Sequence, residues 1–441
     1  MRDLIVTLAV LGSLPFILLR PYVGVLVWSW LGYMNPHRFT WGFAYNFPFS
    51  QIVALTTIVA VVLSTDPKRI PWFGVTFIWL LFVVWMNITT VFAIDPEVSV
   101  PAWERAMKIQ LIAWITLMLI NDPQRLRYLI WVIVVSLGFF GVKGGIFSIL
   151  TGGNYLVMGP PDSMIPENNS LAVALLMTLP LFRFLQLSYT QKWIKYALLA
   201  AMALTMLAIL TSFSRGALIA ILAMGVFMIL KTPYRFRIGL VMLVMLPFMF
   251  AFMPDAWYER MATIETYRID SSAMGRINAW YFAYNLVKDF PYMGGGFDTF
   301  TAELYIRYAP DPLTVLDSHS IYFEALAEQG FIGLGLFLML GIMTFRMCSW
   351  VIKNTKEHED LRWAYNLTSM LQISLVAYAV GGIFLGLAYY DLYYHIIGMA
   401  VITCGLVKKA LAEKNPVEER QFVLAEQPTT EVGVKVTTDA K

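Results

Sequence analysis

Three side chains whose types suit anionic-substrate chemistry, Arg215, Arg276 and His319, fall around the one long polar connection of an otherwise apolar chain. Arg215 stands in LTSFSRGALIAIL, between two apolar runs, with Ser214 and Gly216 leaving room for close approach. A guanidinium there presents a planar fork of donors that fits phosphate oxygens; it equally fits an arginine that snorkels to an interface. Arg276 lies in SSAMGRINAWYFAYNLVKDFPYMGGGFDTF. Residues 277–290 read as an amphipathic helix, with Arg276 near its first turn and Trp280, Tyr281 and Tyr284 suited to a membrane surface. The Gly294-Gly295-Gly296 run that follows reads as a turn able to bring backbone close to a ligand. Alone, Arg276 reads as a solvated charge.

His319, in DSHSIYFEALAEQGFIGLG, is placed at the first turn of the next apolar helix, with Asp317 or Ser318 as N-cap. The positive helix end disfavours imidazolium, so a neutral histidine able to accept a proton is expected. A hydrogen-bonded interfacial histidine is the plainer alternative. Glu324 and Glu328, four apart, share one helix face and should point into the bundle. Further polar residues on the same side are Lys143, Asn168, Asn169, Asp391 and His395, each more readily a cap or a buried hydrogen-bond partner.

The elements that hold these groups are membrane helices. Of 441 residues 59% are hydrophobic and 14% charged, with mean hydropathy +0.65; a soluble chain carries about 25% charge. The net charge of +3 forms no basic patch and gives no reason to expect nucleic acid. Four scattered histidines and two cysteines, Cys348 in a basic loop and Cys404 in an apolar run, supply no metal-ligand spacing. A metal-free chemistry without cofactor is expected.

Apolar runs near 50–64, 71–93, 106–120, 128–150, 168–187, 194–211, 214–231, 236–253, 320–346, 364–388 and 391–410 can each form a span, several of them short. The first 34 residues, broken at Arg20-Pro21, make one kinked crossing or two short ones. The amino end lacks a small-residue cleavage site and reads as retained helix. Basic residues recur in alternate connections, whereas 151–167 and 388–391 have none. By the positive-inside rule the connection 254–319 is external and the carboxyl end cytoplasmic. A cytoplasmic amino end then needs one net crossing before residue 50, giving about twelve spans. The expected fold is an all-α polytopic membrane protein, one domain over 1–410, with short helices in the 254–319 loop. Residues 411–441 are polar and read as a disordered tail.

The run Ser318-His319-Ser320-x-Tyr322-x-Glu324-x-Leu326-x-Glu328-x-Gly330-x-x-Gly333 resembles the signature of the O-antigen ligase (WaaL)/Wzy superfamily. Ser214-Arg215-Gly216 and Gly275-Arg276 with Trp280 look like its two arginine motifs. The opening RPYVGVLVWSWLGYMNPHRFTWGFAYNFPFSQIVAL, with VKGGIFSILTGG and PENNSLA, is similar to the exosortase A-associated O-glycosylation ligase branch. The resemblance covers roughly residues 1–410.

It implies a GT-C-like, metal-independent glycosyltransferase of the bacterial inner membrane. Such an enzyme takes a glycan from undecaprenyl pyrophosphate at the periplasmic face and passes it to a hydroxyl of lipid A-core. A protein hydroxyl or a second lipid-linked glycan are the alternative acceptors. Under that resemblance His319 is the base, and Arg215 and Arg276 hold the pyrophosphate. Lys143, Asn168, Tyr322, Glu324 and Asp391 are candidate supporting groups. A transporter is the rival class, but its usual internal repeats are not visible here.

Overall fold

The computed structural model describes residues 1–231 and 271–414, together with the isolated positions 236, 239, 240, 243, 257 and 258. The expected span 236–253, the start of the long connection and the tail from 415 onward lie largely or wholly outside the described residues.

Among the described residues all regular structure is helical. The α-helices are α1 (Arg2–Leu19), α2 (Tyr22–Met34), α3 (Phe49–Leu63), α4 (Gly74–Val91), α5 (Pro96–Leu119), α6 (Pro123–Leu150) and α7 (Asn168–Ser188). They continue with α8 (Lys192–Leu210), α9 (Arg215–Lys231), α10 (Ser271–Asp289), α11 (Ala302–Tyr308), α12 (Ile321–Thr355), α13 (Arg362–Gly381) and α14 (Asp391–Lys414). Eight described helices are long and apolar enough to cross a membrane, and α2 and α3 are shorter apolar helices. The chain is an all-α polytopic membrane protein.

Local chemistry sets several boundaries. Asp-Pro opens both α5 and α6: the Asp95 and Asp122 carboxylates each accept two amides of the following turn, and the proline occupies a position that needs no N–H. Helix α7 is the axle of the bundle, 89% buried along its apolar window, and packs against α6, α8, α9 and α13. Helices α6 and α8 come close because Gly145 lies against the Leu204 carbonyl, where an added methyl group would sit 2.2 Å from that oxygen.

The connections sort into two faces. On one, Asp162 joins Arg38 (3.4 Å) and Tyr45 (3.1 Å), and Asn168 reaches Ser212. On the other, Arg125 joins Asp66 and Asp122 and covers the Tyr22 ring at 4.5 Å. Asp3 accepts from the amides of Gly42 and Ala44, on the first face. Helices α1 and α2 therefore run out and back. The amino end shares a face with the 36–48 connection, where one net crossing before residue 50 would have set the two on opposite faces.

Two other boundaries shift. Cys348 is inside α12 rather than in a loop, and it and Cys404 are buried free thiols. Residues 411–414 extend α14 instead of beginning the tail.

Candidate active site

Helix α9 begins at the floor of a narrow cleft. Ser214 caps it, its hydroxyl accepting the Ala217 amide at 3.2 Å. Phe213, just before, takes the left-handed conformation (φ 58°) that turns the chain sharply out of α8. Behind this turn the Asn168 amide donates to the Ser212 carbonyl at 2.6 Å. Asn168 is therefore a buried brace, and its neighbour Asn169 is the one that faces the cleft.

The cleft is lined by Asn169, Phe213, Ser214, Arg215, Gly216, Arg276, Phe384 and Leu385. Arg215 and Arg276, 61 residues apart in sequence, thus share one small space and one face. The first turns of α7 and α9 both open into it, and helix N-termini present unpaired amides and partial positive charge to anions. The lining is that of an anion site, in a space of only about 10 Å³.

Arg276 has a full turn of α10 before it rather than standing at the helix start. One turn on, Trp280 is turned inward instead of lying on a membrane surface. Its ring stacks on Phe323 at 5.1 Å and its indole N–H donates to the Ser318 carbonyl at 3.0 Å. Tyr281 and Tyr284 are the exposed aromatics of this helix.

That indole bond leads to His319. The histidine is not in the first turn of α12: Ser320 is the N-cap residue, makes no side-chain cap bond, and the helix starts at Ile321. His319 is half-buried, at φ 43°, a conformation uncommon outside glycine. Ser318 holds it from the preceding side. The Ser318 hydroxyl donates to the Ser320 carbonyl and accepts the Ser320 amide, while the Ser318 amide donates to Asp317. The Asp317 carboxyl rests against Gly386, where an added methyl group would lie 2.5 Å from it. His319 does not line the arginine cleft. Its neighbours tie it to the cleft: Ser318 is bonded by Trp280, one turn on from Arg276, and Asp317 touches Gly386, next to the cleft residue Leu385.

Asp317 keeps an exposed edge, but the partial desolvation of its carboxyl raises it above its ordinary range, opposed by the Ser318 amide and the nearby His319. Asp317 is a further candidate, which the sequence suggested only as a cap.

The remaining candidates disperse. Tyr322 donates to the Ala379 carbonyl at 2.7 Å and lines an apolar groove of about 300 Å³ between α12 and α13 that runs as far as Arg346. Glu324 accepts the Ala388 amide, and Asp391 opens α14; both line a separate cavity on the site face. Lys143 lies near the Phe39 ring on the 36–48 connection (5.9 Å) and is not part of the cleft. His395 is buried against Tyr33 at 2.7 Å.

The triple glycine proves structural. Gly295 and Gly296 amides donate to the Ala327 and Glu328 carbonyls, and Phe331 donates back to Pro291. Helix α12 is broken at Gly330 (φ 66°), whose added methyl group would lie 2.1 Å from the Tyr292 carbonyl oxygen. Backbone meets backbone there, rather than backbone meeting ligand.

Residues 200–338 match the O-antigen ligase family, and residues 1–190 match a family of unknown function (DUF5935). No curated protein matches the chain. The O-antigen ligase match spans Arg215, Arg276 and His319 together with the α12 break.

Proposed function

We propose that this chain, a member of the O-antigen ligase superfamily through its residues 200–338, transfers a glycan from undecaprenyl pyrophosphate to a sugar hydroxyl of lipid A-core. The family supports a ligase- or polymerase-type glycosyltransferase in a membrane. The donor, the acceptor, the residue roles and a periplasmic site in the bacterial inner membrane are our reading. The observation that carries it is the shared cleft of Arg215 and Arg276 at two helix N-termini.

In this mechanism the acceptor oxygen attacks the anomeric carbon from the face opposite the diphosphate. The new C–O bond forms as the old one breaks, and the bonding pair leaves on undecaprenyl pyrophosphate. Configuration inverts. His319 takes the hydroxyl proton as attack proceeds, then gives it up to solvent. The leaving diphosphate gains negative charge, which Arg215, Arg276 and the first-turn amides of α9 stabilise. Charge stabilisation of this kind is commonly the largest catalytic contribution. The arginines do the work a metal ion would do, without a cofactor. The polyprenyl chain fits the apolar groove that starts at Tyr322, beside His319, and continues along α12.

A protein hydroxyl or a second lipid-linked glycan would use the same donor site. The test is to incubate the purified chain with a defined lipid-linked donor and to offer lipid A-core, a protein acceptor and donor alone. Glycan on lipid A-core, with release of undecaprenyl pyrophosphate, is the expected result. Glycan only on protein, or chain extension with donor alone, would replace this acceptor. An intact donor under all three conditions would end the transferase reading.

A further inference from the structure

The apolar groove between α12 and α13 has a charged far end. Helix α12 starts on the site face, and the groove follows it from Tyr322 to Arg346, toward the opposite face. On α12 the far half is one stripe, Leu338, Gly341, Ile342, Phe345 and then Arg346, at the spacing of a single helix face. Leu375 and Val376 of α13 form the other wall. The floor is aromatic and stiff: Tyr378 stacks on Tyr393 at 4.4 Å, and Phe337 meets Tyr393 at 5.4 Å. Gly341 leaves the floor uncovered, since an added methyl group would stand 3.0 Å from the Tyr393 hydroxyl. From Leu338 to Arg346 the stripe covers about 12 Å of helix, within the ~15 Å that one leaflet contributes to the hydrocarbon core.

A second cation reaches this end from another helix. Lys231, the last residue of α9, holds its ammonium 5.8 Å from the Phe345 ring and 5.6 Å from the Phe227 ring. Those two rings lie 5.8 Å apart. Helix α9 begins in the arginine cleft, so Lys231 also belongs to the opposite face. Arg346 and Lys231 thus both adjoin Phe345, and among the described residues neither pairs with a carboxylate.

A lone arginine at a membrane boundary snorkels to water and needs no ligand. Two uncompensated cations from separate helices, at the mouth of one apolar groove, fit an anion that carries a hydrocarbon chain. A guanidinium fork matches two phosphate oxygens, and basic pockets between membrane helices suit anionic headgroups. A zwitterionic headgroup brings its own cation and gains less. A free phosphate gains nothing from the groove.

We infer that the far end of this groove binds an anionic phospholipid of the leaflet opposite the candidate active site. Its phosphate rests on Arg346 and Lys231, and one acyl chain lies between α12 and α13. The polyprenyl chain proposed above enters the same groove from the Tyr322 end, so the two lipids meet within it. The phospholipid site itself stands without the transferase reading.

The test takes the full chain, delipidated in detergent, and incubates it with equal amounts of dioleoylphosphatidylglycerol and dioleoylphosphatidylcholine. Native mass spectrometry counts the lipid retained. The anionic lipid should be preferred by at least about fivefold, the order expected for basic side chains close to an anionic headgroup. Arg346→Gln should remove most of that preference, and adding Lys231→Gln the rest. Arg362→Gln removes a cation that lies over Tyr365, outside the groove, and should leave the preference intact. Leu338→Trp fills the groove from a position 39% exposed, so folding should survive while retention of both lipids falls. Equal retention of the two lipids by the native chain would overturn the inference. Equal losses in Arg362→Gln and Arg346→Gln would do the same, by revealing only a generally basic face. Native retention in Leu338→Trp would take the acyl chain out of the groove, and displacement of the lipid by glycerol 3-phosphate would make the ligand a free phosphate; either defeats the assignment.

Discussion

The indole N–H of Trp280 donates to the Ser318 carbonyl at 3.0 Å, tying the helix that carries Arg276 to the residue next to His319. One hydrogen bond thereby couples the proposed diphosphate grip to the proposed base. Trp280→Phe keeps an aromatic ring against Phe323 and removes only this bond. A reacting geometry displaced by about 1 Å can cost up to ~10² in rate, so kcat should fall about tenfold while the donor KM changes little. Steady-state kinetics with the lipid-linked donor would show it, and an unchanged kcat would leave the indole a packing role alone.

Arg215→Lys and Arg276→Lys keep the charge but lose the planar fork. Each should lower kcat by about 10²–10³, the range seen when one positioned donor to a developing anion is removed. Because both are proposed to serve one leaving group, the double variant should lose less than the product of the single losses. Full activity in Arg215→Lys would argue for a snorkelling arginine. Chelator should leave the native rate untouched.

His319→Asn isolates the imidazole from its backbone. Asparagine tolerates the left-handed conformation found at φ 43°, so folding should be preserved. Transfer should fall by about 10²–10⁴, the usual worth of general-base help, with donor binding retained. Undiminished turnover would remove His319 from the mechanism.

Gly330→Ala tests the brace beneath the site. A methyl group would meet the Tyr292 carbonyl oxygen at 2.1 Å and would occupy a positive φ, at a cost on the order of 3 kcal/mol. Its unfolding midpoint in detergent should drop. Gly335→Ala, with nothing within 4 Å of the added atom, should not. Equal midpoints would contradict the backbone docking described here.

Asp317 predicts a pH trend. Partial desolvation raises its carboxyl in the folded chain although the residue keeps an exposed edge, so the folded state binds somewhat more protons than the unfolded state as pH climbs above the ordinary aspartate range. The stability that Asp317 contributes is full below that range and is lost as pH rises through the raised value. Asp317→Asn should flatten this part of the curve of unfolding midpoint against pH. A steeper dependence in the variant would reverse the sign.

What could be read without coordinates follows from short-range chemistry. Hydropathy gave the helical membrane class, because a lipid-exposed backbone must satisfy its own hydrogen bonds. The Asp-Pro openings of α5 and α6 are equally local, since cap and first turn lie in adjacent residues. Alternating basic connections put Arg215, Arg276 and His319 on one side, a grouping that the shared arginine cleft and the Trp280–Ser318 bond support.

Other features were hidden because they depend on residues far apart in the chain. The doubling back of α1 and α2 rests on Asp3 finding the amides of Gly42 and Ala44. The glycine run looked like a ligand turn until Gly330 broke α12 to receive it. Glu324 and Glu328 were seen to face inward, yet only packing could set them beside Asp298, Tyr390 and Asp391 around one cavity. Sequence by itself determined the kind of solvent, since that follows from composition along the chain, and from the alternation of basic connections it set the expectation that Arg215, Arg276 and His319 share a side. Tertiary structure decided which groups meet, because hydrogen bonds and clefts form between residues that no local spacing relates.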